Sequence, residues 1–307
     1  MAITLQESLR GLFYAPFYVA LARDAYAAEG VEVEFVSSPR PGDAARNVMD
    51  GVVDVCWGGP MRVMQAYHQM PVCDLVSFAE VVTRDPFLLV GREPRPDFTL
   101  RDLPGVRVAT VSEVPTPWMC LQEDLRRAGI MPSQLTRIAD GSMADNVAAL
   151  RRGEVDVVQV FEPFASGLLD DGAGHVWYAQ ASRGPTSYTT FYARRGLLNA
   201  RREELRRMVR AIYRTQKWVA AADGRAIADA IARYFPDVPP ALLAASCARY
   251  KSLGIWGSDP RLPRVGYDRL RDSLVSGGFV SPGTDFAVAV DNSLAELVMA
   301  EAPPALQ

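Results

Sequence analysis

A chain of 307 residues is long for one domain and suits two of ordinary size. Hydrophobic residues make up 49% and charged residues 22%, enough for each of two lobes to fill a core and keep a wetted surface. A net charge of -3 argues against a general nucleic-acid surface, which is basic overall, and two histidines exclude a multi-histidine metal site.

In chain order, residues 2–7 read as a strand, followed by the loop Ser8 to Pro16 and a helix with Pro16 in its first turn. Val19, Ala22, Tyr26 and Ala27 mark that helix and Gly30 closes it. VEVEFV (31–36) alternates as a strand with one wetter face. Residues 42–60 then read as a helix, Gly51, a strand around Val53 to Val55 and an aromatic-bearing loop. A helix over 60–70 and a strand over 74–82 follow. Around Thr83 to Pro86 the chain is expected to cross to a second lobe, where 87–91 is a strand and 92–105 a proline-rich connection. Val106 to Val111 begin that lobe's sheet, and Thr116 and Pro117 read as the N-cap and first residue of a helix that Gly129 stops. After a strand over 135–139, residues 141–164 carry a helix with Ala144, Val147 and Leu150 on one face. Gly153 ends it, an apolar strand spans Val155 to Val160, and Phe161, Glu162 and Pro163 lie at that strand's carboxyl end. The return crossing is expected near 184–188, with 187–193 as a strand. Segments 201–222, 224–234, 240–253 and 265–277 read as helices wrapping the first lobe. The tail 302–307 reads as frayed.

The helix–glycine–strand plan therefore occurs twice, with Gly51 three positions before Asp54 and Gly153 three before Asp156. Two copies about a hundred residues apart, each ending in an aromatic and polar loop, predict two similar α/β lobes facing each other across a ligand cleft. The boundaries read as 1–84 plus 189–307 for the first lobe and 85–188 for the second.

The four cysteines lack any CxxC or zinc spacing and read as buried free thiols, with a Cys56–Cys73 bridge left open. No secretory leader is visible, because Ala2 to Gln6 run directly into a strand. The chain is expected either in the cytosol or in the periplasm after loss of a leader. No apolar run reaches the length of a membrane span.

Loop ends expected at the cleft bring together Phe13, Tyr14, Trp57, Trp118, Phe161 and Tyr188, flat surfaces on which a ring can stack. Phe13 and Phe161 read equally well as plugs between the lobes. Glu113 and Glu162 end strands of the second lobe and need donors if buried. Arg10 and Arg62 across the cleft, or the N–H groups of a heterocyclic guest, meet that need. The helix start at Thr116 and the turn Gly58–Gly59 offer backbone N–H groups that, with Arg62, would seat a sulfonate or carboxylate. His68, beside Met64, Tyr67 and Met70, reads as a packing or surface residue.

These residues resemble a known family. The segments are GLFYAPFYVALARDAYAAEGVEVE (11–34), GVVDV (51–55), DLPGVRVA (102–109), LRRAG (125–129), ALRRGEVDV (149–157) and FEPF (161–164). In this order and spacing they are similar to the periplasmic solute-binding proteins of nitrate, sulfonate, taurine and thiamine-pyrimidine uptake systems, a group that includes the yeast-type pyrimidine synthase. The likeness covers roughly residues 2–295. It implies the type II periplasmic-binding-protein fold, two lobes joined by two crossovers that close like a hinge on a small molecule. It also implies a membrane permease of an ABC importer as partner; a monomer is expected. Glu162 sits in the E-P pair that the resemblance makes structural across ligand classes. One departure bears on chemistry. The synthase holds pyridoxal phosphate on a lysine where this chain has Gly58, and its return strand is cysteine-rich where this one reads SYTTFY. Lys217 and Lys251, the two lysines, lie in the C-terminal helices. No Schiff-base enzyme, and no cofactor, is expected.

Three functions follow as expectations. The first is a binding protein that captures a small organic solute, heterocyclic, aromatic or sulfonate-bearing, by hinge closure. The second is a cytosolic enzyme on the same fold acting on a pyrimidine-like or sulfur-containing molecule, with Cys56 as its nearest nucleophile. The third, an effector-sensing module, lacks a helix-turn-helix ahead of residue 2.

Overall fold

The computed structural model describes residues 2–70 and 72–307; Met1 and Pro71, both inside the expected first lobe, lie outside them. The described residues form two five-stranded sheets. The first is ordered β2-β1-β3-β10-β4, built from β1 (Ile3–Glu7), β2 (Val33–Ser37), β3 (Val55–Gly58), β4 (Leu75–Val82) and β10 (Thr189–Arg194). The second is ordered β7-β6-β8-β5-β9, from β5 (Leu88–Gly91), β6 (Arg107–Ala109), β7 (Thr136–Ile138), β8 (Val157–Val160) and β9 (His175–Ala179). β1 runs parallel to β2 and β3, and β6 parallel to β7 and β8. β10 is antiparallel to β3 and β4, as β5 is to β8 and β9. β3, β4, β5 and β8 are buried along their whole length, which is why they read as unbroken apolar runs: helices cover both faces.

The duplicated plan is a duplicated geometry. Gly51 and Gly153 sit at φ 71° and 72°, the left-handed turn that lets the chain leave a helix and enter a strand within a few residues. Asp54 then accepts a hydrogen bond from the backbone N–H of Thr4 at 3.1 Å, and Asp156 from that of Arg107 at 2.7 Å. Each aspartate thus ties the entry of its own strand to the neighbouring first strand of its sheet. On the helix Met143–Arg152 the buried stripe is Met143, Asn146, Val147 and Leu150; Ala144, expected inside, faces water.

The tryptophans expected at the cleft are core residues instead. Trp57 is fully buried, stacked between Phe17 (centroids 4.8 Å) and Phe35 (5.2 Å), because β3 turns that face toward the helix Ala15–Ala22. Trp118, 8% exposed, packs with Leu121, Leu125 and Trp177 inside the second lobe, and the Arg137 guanidinium lies 4.0 Å over its ring. The helix carrying it, Thr116–Arg127, starts one residue earlier than expected, with Pro115 at the N-cap and no side-chain cap. All four cysteines are free.

The C-terminal helices Arg202–Ala221 and Gly224–Ile231 pack on the first lobe. Two others reach further than expected. Pro240–Ser252 touches Phe164–Asp170 of the second lobe, and Arg264–Ser276 packs on Thr116–Arg127 as well as on Met61–Gln69. The two crossovers run side by side: Thr186 and Tyr188 donate backbone N–H bonds to Thr83 and Val82 at 2.8 and 2.9 Å. Beneath them Arg183, almost fully buried, pairs with Asp85 at 3.0 Å and with Asp124. Glu80, on β4 beside the crossovers, is buried with neither carboxylate oxygen hydrogen-bonded. Burial pushes its carboxyl up to about 8; Asp259 adds to this, and the nearby Ser187 hydroxyl offsets part without an aligned bond.

Trp118→Ala is expected to destabilise the protein by about 3 kcal/mol or more through the cavity it leaves, read by urea unfolding. Glu80 generates a pH dependence. Its folded pKa lies above the unfolded value of 4.5, so its contribution to stability is fully present below that value and lost as pH rises toward about 8. Glu80→Gln is therefore expected to flatten the stability profile over this range. Equal slopes in parent and variant, from unfolding curves at a series of pH values, would remove the assignment.

Candidate functional site

The carboxyl ends of the parallel strands of both sheets meet at one cleft, whose walls the two lobes share. The first lobe supplies Ser8 and Leu9 just past β1, Phe13 and Tyr14 from the turn after it, Pro41, and Gly59, Met61 and Arg62 past β3. From the second lobe and the crossovers come Phe87, Val114, Thr116, Phe161 and Tyr188. Of the expected residues, the structure thus gathers Phe13, Tyr14, Gly59, Arg62, Thr116, Phe161 and Tyr188.

The rings touch across the gap. Phe13 lies edge-on to Phe161 (centroids 5.4 Å) and to Tyr188 (6.2 Å), and Phe161 edge-on to Phe87 (5.4 Å). Phe13 and Phe161 line the cleft and also narrow it. The remaining cavity is about 40 Å³, room for a few water molecules and far below an organic solute. A guest enters this cleft only if the lobes or the rings part.

Polar groups are few and unevenly satisfied. Ser8 Oγ and Tyr14 Oη lie 3.1 Å apart, and among the described residues the Tyr188 hydroxyl has no hydrogen-bond partner. Arg62, at the start of the helix Met61–Gln69, donates to the Gln65 side-chain oxygen at 3.1 Å. Among the described residues no carboxylate lies within 4.0 Å of it. Burial lowers the Arg62 pKa below its usual value, while the nearby Tyr192, Tyr14 and Cys56 act in the opposite direction. The helix Thr116–Arg127 opens at the same cleft with no side chain on its first N–H groups.

The remaining expected residues lie elsewhere, for identifiable reasons. Arg10 folds back on Glu7 of its own lobe, donating from Nε and Nη2 at 2.6 to 3.1 Å, rather than reaching across the cleft. Glu7, which also accepts from Tyr18 and Ser37, is the stronger attractor because it is buried and its donors are local. Glu113 accepts from the backbone N–H of Met143 at 2.8 Å, satisfying an orphan donor at a helix start of its own lobe. Glu162 is fully buried against Arg249, not Arg10 or Arg62. Gly58 completes β3, where a Cβ would meet the Tyr192 ring at 3.2 Å and Ser8 Oγ at 3.3 Å. Trp57 and Trp118 belong to the lobe cores. Ser8, Leu9 and Phe87 escaped the sequence reading, although the rule that ligands sit beyond strand carboxyl ends covers the first two.

Comparison with known proteins adds the lineage. YtlA of Bacillus subtilis (strain 168), which bears the provisional name of a binding protein, is 26% identical over 302 residues, covering 97% of this chain and 90% of YtlA. The periplasmic aliphatic sulphonate binding protein SsuA from Escherichia coli superposes with a TM-score of 0.77 at 16% identity, over 95% of this chain and 92% of SsuA. The desulfurization enzyme DSZB superposes with a TM-score of 0.70 at 13% identity, over 98% of this chain and 100% of DSZB. The fold is therefore the two-lobed periplasmic-binding-protein type, shared by binding proteins and at least one enzyme. Residues 13–226, more than two thirds of the chain, match the family described as NMT1/THI5 like, and the chain belongs to that family.

Proposed function

We propose that this protein is the solute-binding component of an ABC-type importer, taking up a small organic solute with an acidic group and delivering it to a membrane permease. The single observation that carries the reading is Arg62. It is a cation in a cleft shared by two lobes, with no carboxylate among the described residues within 4.0 Å, and it lines that cleft with Phe13, Tyr14, Phe161 and Tyr188. A sulfonate or carboxylate would supply the missing counter-charge through charge-assisted bonds, and the open helix start at Thr116 would add N–H donors from the facing lobe. The rings suit an apolar or aromatic body on the same molecule. That SsuA is named for aliphatic sulphonates agrees with this chemistry, and its periplasmic setting is the one we propose here.

An enzyme on this fold is the competing class, as DSZB illustrates. The thiol expected to serve it, Cys56, is fully buried in β3, and burial pushes its pKa up to about 12. It is a neutral thiol at physiological pH, a poor nucleophile with no path to a substrate.

Native mass spectrometry of the purified protein is expected to reveal a co-purified organic anion. In calorimetric titrations with aliphatic and aromatic sulfonates and carboxylates, Arg62→Met is expected to weaken binding roughly tenfold or more. Equal affinity in parent and variant would remove Arg62 from the site and the acidic group from the solute.

A further inference from the structure

Glu162 lies two residues beyond β8 in the second lobe, yet its side-chain partners come chiefly from outside that lobe. Its Oε1 lies 2.7 Å from Arg249 Nε, and its Oε2 accepts from Ser246 Oγ at 3.2 Å and from the backbone N–H of Ser166 at 2.8 Å. The backbone N–H of Glu162 donates to the Tyr250 hydroxyl at 2.8 Å. Ser246, Arg249 and Tyr250 share one face of the helix Pro240–Ser252. That helix rests on Gly224–Ile231, which in turn packs on Ala15–Ala22 of the first lobe. The cluster therefore joins the lobes. Just beyond it Trp256 donates its Nε1–H to the carbonyl of Phe13 at 2.9 Å, so the same segment holds a wall of the cleft.

We propose that Arg249 and Tyr250 are positioning residues for solute capture, forming a latch that holds Glu162, and with it the second lobe, against the first. The latch is reversible for two reasons. The Arg249 N–H is not aligned on the carboxylate, so the pair is a contact of charges and not a directed bond. The Glu162 side chain is fully buried while that of Arg249 is 29% exposed, so opening returns to water a carboxylate that the closed form had desolvated. Loss of the pair and gain of hydration oppose each other, leaving a modest bias that a bound solute adds to. This inference rests on the reading that the lobes part to admit a solute.

The test needs no solute. Val52 and Met131 are exposed, one on each lobe, and spin labels on Val52→Cys and Met131→Cys in a Cys73→Ser background report the inter-lobe distance. Arg249→Met leaves Glu162 uncompensated in the closed form and is expected to raise the long-distance population roughly tenfold. Adding Glu162→Gln removes the stranded charge and is expected to bring the distances back toward the parent, with Arg249→Lys intermediate. Unchanged distances in folded Arg249→Met, or a double variant as open as the single one, would overturn the latch, the second outcome marking Arg249 as packing alone. Should Arg249→Met fail to fold, Tyr250→Phe must shift the distances in the same direction, and no shift overturns the proposal. A working latch in a protein that binds no organic anion would sink the uptake reading and leave the latch standing.

Discussion

Each sheet is completed by an antiparallel strand that enters it directly from the other lobe, and the rest of the architecture follows from that exchange. β5 arrives from β4 and inserts between β8 and β9, while β10 returns and inserts between β3 and β4. The two strand orders map onto each other with β10 in the place of β5. Because both crossings must leave and enter at neighbouring points, they lie side by side and bond to each other through Thr83, Val82, Thr186 and Tyr188. Two lobes joined this way share one pair of crossovers, and the carboxyl ends of their parallel strands line a common cleft.

Buried charge concentrates beside the two crossovers. Arg183 is balanced by Asp85 and Asp124, with Gln180 adding a donor to Asp85 at 2.9 Å, so removal of any one member would strand its partners in a dry setting. Glu80, on the neighbouring strand, has no such partner and stays protonated over much of the neutral range instead. One group is neutralised by pairing, the other by a proton. The Glu162–Arg249 contact is a third solution, a buried carboxylate beyond β8 facing an arginine of the C-terminal helices.

Among the described residues the cleft combines aromatic contact with one cation, Arg62, that no carboxylate pairs. The ring contacts that meet across the lobes fill the gap between them. Arg62 cannot be satisfied in that way, because its charge requires an anion or water.

The sequence by itself determined the two-lobed α/β plan. Apolar runs such as Val155 to Val160, and glycines at positions 51 and 153 followed three residues later by aspartate, specify local structure whose energetics depend on near neighbours. It also determined that the loops holding Phe13, Arg62, Phe161 and Tyr188 end strands, which suffices to send them to the cleft. Partner choice was decided by the tertiary structure alone. Trp57 went to a core because β3 turns it onto Phe17 and Phe35, residues 40 and 22 positions away in the chain. Glu162 went to an arginine 87 positions further on, because a buried carboxylate takes whichever donor the packing brings nearest. Periodicity records which face of an element is dry, but not which distant element will lie against it.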